Sequence, residues 1–169
     1  VAYAKLNVKL VGTDPGITAE INGGTHMPFE DVAIMRAIPD MVIFEPIDCT
    51  QLKKAFPQII DHYGPMYIRL NRRTPAKIYD DSYEFKLGKA DVLKEGSDVT
   101  LVAAGIMVEQ AVVAAEELAK EGINAEVIAV HTIKPLDEET ILASAKKTGA
   151  VVTAENANII NGLGGAVCE

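Results

Sequence analysis

Short apolar runs of strand length alternate with helical stripes along this 169-residue chain, and that alternation leaves few folds open. Asn7–Val11, Met41–Phe44, Met66–Leu70, Val99–Ala103, Ala125–Val130 and Ala150–Thr153 each read as a strand. Helical patterns fill most of the gaps between them. This order predicts an α/β chain with two units, each a mainly parallel sheet flanked by helices, because parallel neighbours need a crossover connection. The composition agrees: 49% of residues are hydrophobic and only 5% aromatic, which suits sheets buried on both faces.

Local signals place the helices. Phe29, Val32, Ala33, Met35 and Ile38 share one helical face, and Pro39 ends it. Asp48 reads as an N-cap with Gln51 three residues on, ahead of the stripe Leu52, Ala55, Phe56, Ile59 and Ile60. Pro57 falls inside that stripe, where it predicts a kink. Val108, Ala111, Val112, Ala115, Leu118 and Ala119 form a core-facing stripe stopped by Gly122, and Asp137 reads as the N-cap of a later helix. From Asn71 to Gly96 the periodicity weakens into a linker with short strands, with a turn at Tyr79–Ser82. Gly162, Gly164 and Gly165 read as a tight turn opening a helix, although such a cluster also resembles a phosphate-binding turn. The chain begins just before a buried strand and stops where a helix should start. That predicts incompleteness at both ends: a fragment, a partly ordered chain, or one part of a larger assembly.

A formal charge of −8 excludes nucleic acid or an anionic membrane as the main partner, and basic residues gather only at Arg72 and Arg73. No apolar run approaches the about 20 residues of a membrane span. The opening residues lack a signal peptide's long apolar segment. Cys49 and Cys168 lie far apart without metal-ligand spacing, so reduced thiols are expected. His62 and His131, at a helix end and a strand end, are expected to be structural. Together these features predict a soluble, acidic, cytoplasmic protein.

Gly12 to Asp48 carries the most specific signal. A strand leads into a glycine- and proline-rich polar loop containing Gly23, Thr25, His26 and Pro28, then a helix with Arg36 and the turn Ile38, Pro39 and Asp40. A long polar loop at a strand's carboxyl end is where parallel folds place ligand chemistry. The stretch resembles the thiamine-diphosphate enzymes of the transketolase family, with their Gly-x-Thr-His-x-Pro loop. A second region, "VTLVAAGIMVEQAVVAAEELAKEGINAEVIAVHTIKPLDEETI" followed by "TAENANIINGLGGAV", resembles the C-terminal domain of the same family. The resemblance therefore implies a partial pyrimidine-binding domain over residues 1–75, a linker over 76–96, and a truncated C-terminal-like domain over 97–169.

The resemblance also implies an activity: transfer of a two-carbon ketol unit from a ketose to an aldose through thiamine diphosphate and Mg2+. Most cofactor-binding groups would lie outside this chain, in an N-terminal diphosphate-binding subunit or domain, so this stretch alone should be inactive. A homodimer through the pyrimidine and C-terminal domains is expected, with sugar-phosphate-like small molecules as ligands. His26 matches the family's loop histidine, which faces the substrate and exchanges protons with sugar oxygens. Arg72 matches an arginine that clamps phosphate or carboxylate. Asn22 stands where many transketolases carry an aspartate that contacts the donor, and Asp14 where they carry another histidine. Those departures predict a substrate other than the common pentose phosphates. Asp14 is open to two readings, a ligand contact or a cap on the Pro15–Gly16 turn. Two alternative functions stand beside this one. The first is a deoxyxylulose-phosphate synthase or a 2-oxoacid dehydrogenase beta subunit; the second is a non-catalytic scaffold or regulatory homologue.

Overall fold

A computed structural model describes all of residues 1–169. Two four-stranded sheets form its framework. The first contains β1 (Lys9–Thr13), β2 (Val42–Phe44), β3 (Met66–Leu70) and β7 (Thr132–Lys134), in the order β1-β3-β2-β7. β1 and β2 both run parallel to β3, with Lys9 and Val42 each opposite Met66. The second contains β4 (Asp91–Lys94), β5 (Val99–Ala104), β6 (Ala125–Val130) and β8 (Val151–Ala154), in the order β4-β6-β5-β8. There β6, β5 and β8 are parallel, and β4 adds an antiparallel edge.

The helices α1 (Asp31–Ala37), α2 (Cys49–Asp61), α3 (Met107–Lys120), α4 (Glu138–Thr148) and α5 (Leu163–Cys168) supply the crossovers and cover the faces. Their starts follow from local chemistry. The Asp48 carboxylate accepts the N–H of Gln51 at 2.7 Å, and the Gln51 side chain returns to the N–H of Ile47 at 2.9 Å. The capping pair expected at Asp48 and Gln51 is therefore present, with the return bond one residue earlier than in the usual box. Asp137 caps α4 through the N–H of Thr140, and the C-cap Gly149 takes a left-handed conformation at φ 75°. Pro57 lies within α2.

The two units share a core. One cluster joins Val32, Ile43 and Tyr67 of the first half to Val102, Ile128 and Leu163 of the second. β7 goes further: it lies in the second half of the chain but pairs antiparallel with β2 in the first sheet. Residues 76–96, expected as a linker with short strands, contain β4 and the buried side chains of Tyr79 and Phe85. The Asp48 carboxylate binds this segment to α2 by accepting the N–H groups of Ile78 and Tyr79, each at 2.8 Å.

Candidate functional site

Because β1, β2 and β3 are parallel, their carboxyl ends open onto one edge of the first sheet. The Asp14–Pro28 loop leaves β1 there, Glu45 follows β2, and Asn71, Arg72 and Arg73 follow β3. Two 3-10 turns, Gly16–Asn22 and Gly24–His26, give the loop its shape. Its first residue is anchored by the Asp14 N–H, which donates to the Leu70 carbonyl at 3.1 Å, and its base is closed by a Gly16 N–H to Pro28 carbonyl bond of 2.8 Å. Asp14 is left-handed at φ 62°, a conformation that Asp and Asn tolerate better than other side chains.

The loop is braced from the other half of the chain. Asn156, buried just beyond β8, accepts the Ile17 N–H at 3.0 Å and donates to the Pro15 carbonyl at 3.1 Å. Gly16 makes this approach possible: at φ +61° a Cβ there would lie 2.1 Å from the Asn156 Oδ1.

Of the four residues singled out from the sequence, two meet. Arg72 and Asp14 form an ion pair at 3.8 Å, with side chains 41% and 35% exposed. Beside it Arg73 pairs with Glu20 of the same loop. A cleft of about 170 Å³ opens next to these arginines, lined also by Asp48, Cys49, Asn71 and Thr74. His26 is exposed on the loop, and its hydrogen bonds are local. Its Nδ1 lies 2.9 Å from the Thr25 hydroxyl, and its N–H donates to the Gly23 carbonyl at 3.0 Å. Asn22 is exposed at the end of the first 3-10 turn.

Beneath this surface lies a charged network that the sequence reading missed. Arg69 is fully buried and binds Asp31 at 2.7 and 3.1 Å, Glu45 at 2.9 Å and the Asn156 carbonyl at 2.8 Å. The Tyr67 hydroxyl donates to Asp31 at 2.8 Å. Burial pushes Glu45 up from the usual carboxylate range against the pull of Arg69, and burial followed by the Asp31 hydrogen bond raises the Tyr67 phenol. Burial alone would lower the Arg69 pKa, but Glu45 and Asp31 more than offset it, so the guanidinium stays charged. One signal was available in the sequence: Arg69 and Glu45 are opposite charges lodged in or beside otherwise apolar strands. Such charges are rarely buried unless they pair.

Two other features resolve as structural. His131 is buried against Phe44 and Phe85, with ring centroids 6.0 and 4.7 Å away. Burial lowers its pKa to about 4, and its Nε2 makes no hydrogen bond, so the ring is neutral at physiological pH. The glycine turn at Gly162 opens α5, but Glu155 already occupies it, accepting the N–H groups of Leu163 at 2.7 Å and Gly164 at 3.0 Å. A phosphate there would meet a carboxylate, so the tight-turn reading holds.

The buried Glu45 and the partly buried Asp31, carboxylates at this edge, are engaged by Arg69. No three His, Cys, Asp or Glu side chains are grouped to hold a metal ion.

Comparison with known proteins agrees with this architecture. Residues 1–76 match the model of the transketolase pyrimidine-binding domain, and residues 88–169 match that of the transketolase C-terminal domain. A "6-deoxy-6-sulfo-D-fructose transketolase subunit SqwH" of Clostridium sp. (strain MSTE9) is 64% identical over 100% of this chain and 52% of its own length. A "Putative transketolase C-terminal section" of Methanocaldococcus jannaschii is 46% identical over 100% of this chain and 53% of its own. The solved structure titled "Split gene transketolase, inactive beta4 tetramer" superposes with a TM-score of 0.91 at 42% identity, covering 99% of this chain and 54% of that one. The chain thus spans about half the length of the curated relatives it matches. It belongs to the transketolase family, matching that family's pyrimidine-binding and C-terminal domains in succession.

Proposed function

We propose that this chain is part of a thiamine-diphosphate-dependent transketolase that moves a two-carbon ketol unit from a ketose to an aldose. A second component supplies the diphosphate-binding groups and the Mg2+ site, which the residues here do not provide. The observation that carries this reading is the edge formed by the carboxyl ends of β1 and β3, where a loop braced by Asn156 presents His26 and the Asp14–Arg72 pair. His26 exchanges a proton with a sugar oxygen, a task suited to an imidazole, which has both a donor and an acceptor nitrogen. Arg72 holds the anionic end of the sugar through its guanidinium fork. Asn22 contacts the donor's hydroxyls.

The donor is a ketose other than the common pentose phosphates. Two observations support this: an acidic residue sits against the anion-binding arginine, and the 64%-identical Clostridium relative is named for a sulfonated fructose. Assembly with further subunits, including a second copy of this chain, is supported by Ile17, Ile21, Ile159 and Ile160, which are 61–82% exposed. No helix is long and apolar enough to cross a membrane, and the reading places the enzyme in the cytoplasm.

The test is reconstitution. The chain alone should show no ketol transfer in a coupled assay with thiamine diphosphate and Mg2+. The same chain combined with a diphosphate-binding partner should turn over. Turnover by the chain alone would refute the division of labour, and none from the reconstituted assembly with any ketose would favour the scaffold reading.

A further inference from the structure

Resting on the proposed function, we infer that Asp14 is a specificity-determining residue that makes the Arg72 site select a singly charged anionic end group, such as a sulfonate, over a doubly charged phosphate. Sulfonate and phosphate are both tetrahedral and both present three acceptor oxygens to a guanidinium. Shape and hydrogen bonding therefore separate them poorly. Charge separates them well: near neutral pH a phosphate monoester carries about −1.5 to −2, with its second ionisation near pH 6. An alkyl sulfonate carries one charge throughout that range.

The structure sets up a site that does not reward the second charge. The Asp14 carboxylate lies 3.8 Å from the Arg72 guanidinium. Its backbone is fixed to the end of the same strand that leads into Arg72, through the 3.1 Å bond from the Asp14 N–H to the Leu70 carbonyl. The neighbouring Arg73 is likewise matched by Glu20. Two cations and two carboxylates thus face one another across this edge and formally cancel. An incoming anion can still take hydrogen bonds from the free face of Arg72, but it gains little net Coulombic attraction. A dianion sheds a larger hydration free energy than a monoanion and recovers nothing extra for it. With both side chains part-exposed, the effective dielectric is high, and the discrimination expected from one such carboxylate is roughly tenfold.

Asp14→Asn is the appropriate probe. It is isosteric, and it accepts the left-handed backbone of this position. In the reconstituted enzyme, kcat/KM is measured for 6-deoxy-6-sulfofructose and fructose 6-phosphate, which differ at one substituent. The measurements are made at about pH 8, where the phosphate is a dianion, and at about pH 5.5, where it is mostly a monoanion. The wild-type sulfonate-to-phosphate ratio should be high at the upper pH and fall several-fold at the lower one. Asp14→Asn should lower the ratio roughly tenfold at the upper pH and flatten its pH dependence. A wild type that uses the sulfonated ketose, with a ratio that Asp14→Asn leaves within about twofold, overturns the inference and leaves the functional reading standing. A wild type that transfers from neither ketose overturns both.

Discussion

The side-chain oxygen of Asn156 accepts the backbone N–H of Ile17 at 3.0 Å, so a residue that follows the last strand of the second sheet sets the course of a loop that leaves the first strand of the first. Asn156 is buried, and its amide also reaches the Pro15 carbonyl and the Thr18 hydroxyl. The candidate site is therefore a joint product of both units rather than a decoration on one.

Removing that brace should loosen the loop more than the fold. Asn156→Ala leaves the Ile17 N–H without its partner, while the Pro15 carbonyl keeps the Thr18 hydroxyl at 2.9 Å, at a cost of about 1–3 kcal/mol. Hydrogen exchange at the amides of residues 16–22 should accelerate strongly, while β5 and β6 stay protected. Gly16→Ala should produce the same local signature, because its Cβ would collide with the Asn156 amide at a backbone φ of +61°. Protection factors that do not change in either variant would refute the bracing role.

The Arg69 network predicts a larger loss of global stability. Arg69→Met strands Glu45 and Asp31 in the interior, and breaking such a pair costs roughly 3–5 kcal/mol. Arg69→Lys should recover little, because one ammonium cannot reproduce a fork that reaches two carboxylates and the Asn156 carbonyl. Adding Glu45→Gln to Arg69→Met should restore part of the loss by removing one stranded charge. Urea midpoints of the three variants test this order.

His131 should make the fold sensitive to mild acid. Its pKa falls from 6.5 to about 4 on folding because the ring is buried without a partner for Nε2. The unfolded chain therefore binds the proton more readily between those values. The stability this histidine contributes is complete above about pH 6.5 and is lost as pH falls toward 4, by on the order of 2–3 kcal/mol. Asp91, 4.0 Å from the ring and raised in pKa by burial, acts with the opposite sign and offsets part of the loss. The comparison that isolates the histidine is His131→Gln: its unfolding free energy should be flatter than wild type over the same window.

In the complete enzyme, His26 and Arg72 should fail differently. His26→Ala should lower kcat on the order of 10²-fold with little effect on thiamine diphosphate affinity, because its hydrogen bond matters as charge develops on the sugar oxygen. Arg72→Ala should chiefly raise KM for anionic ketoses, since a remote clamp holds ground and transition states alike. Steady-state kinetics with cofactor titrations separate the two, and undiminished turnover in His26→Ala would remove it from the reaction.

Much of this protein is legible without coordinates, because the signals are local. The runs Met66–Leu70 and Ala125–Val130 appear as strands with the bounds their apolar residues mark, and Asp48 and Asp137 cap the helices they precede. The mainly parallel sheets follow from the alternation itself, and the polar loop around His26 leaves β1 where its glycine and proline content marks it. Three things were decided only by tertiary structure. β7 is three residues long and separated from β6 by His131 alone, so no period could mark it; it exists because the edge of β2 lies within reach to pair with it. The burial of Arg69 depends on Asp31 and Glu45, which stand 38 and 24 residues away in the chain. The Asp14–Arg72 pair forms because β1 and β3 are adjacent and parallel, bringing together two residues whose sequence neighbourhoods say nothing of each other. Periodicity and capping report the free energy of a segment with its own neighbours in sequence. Register, charge pairing and the shape of the site come from contacts between segments, and those are defined only once the sheets have assembled.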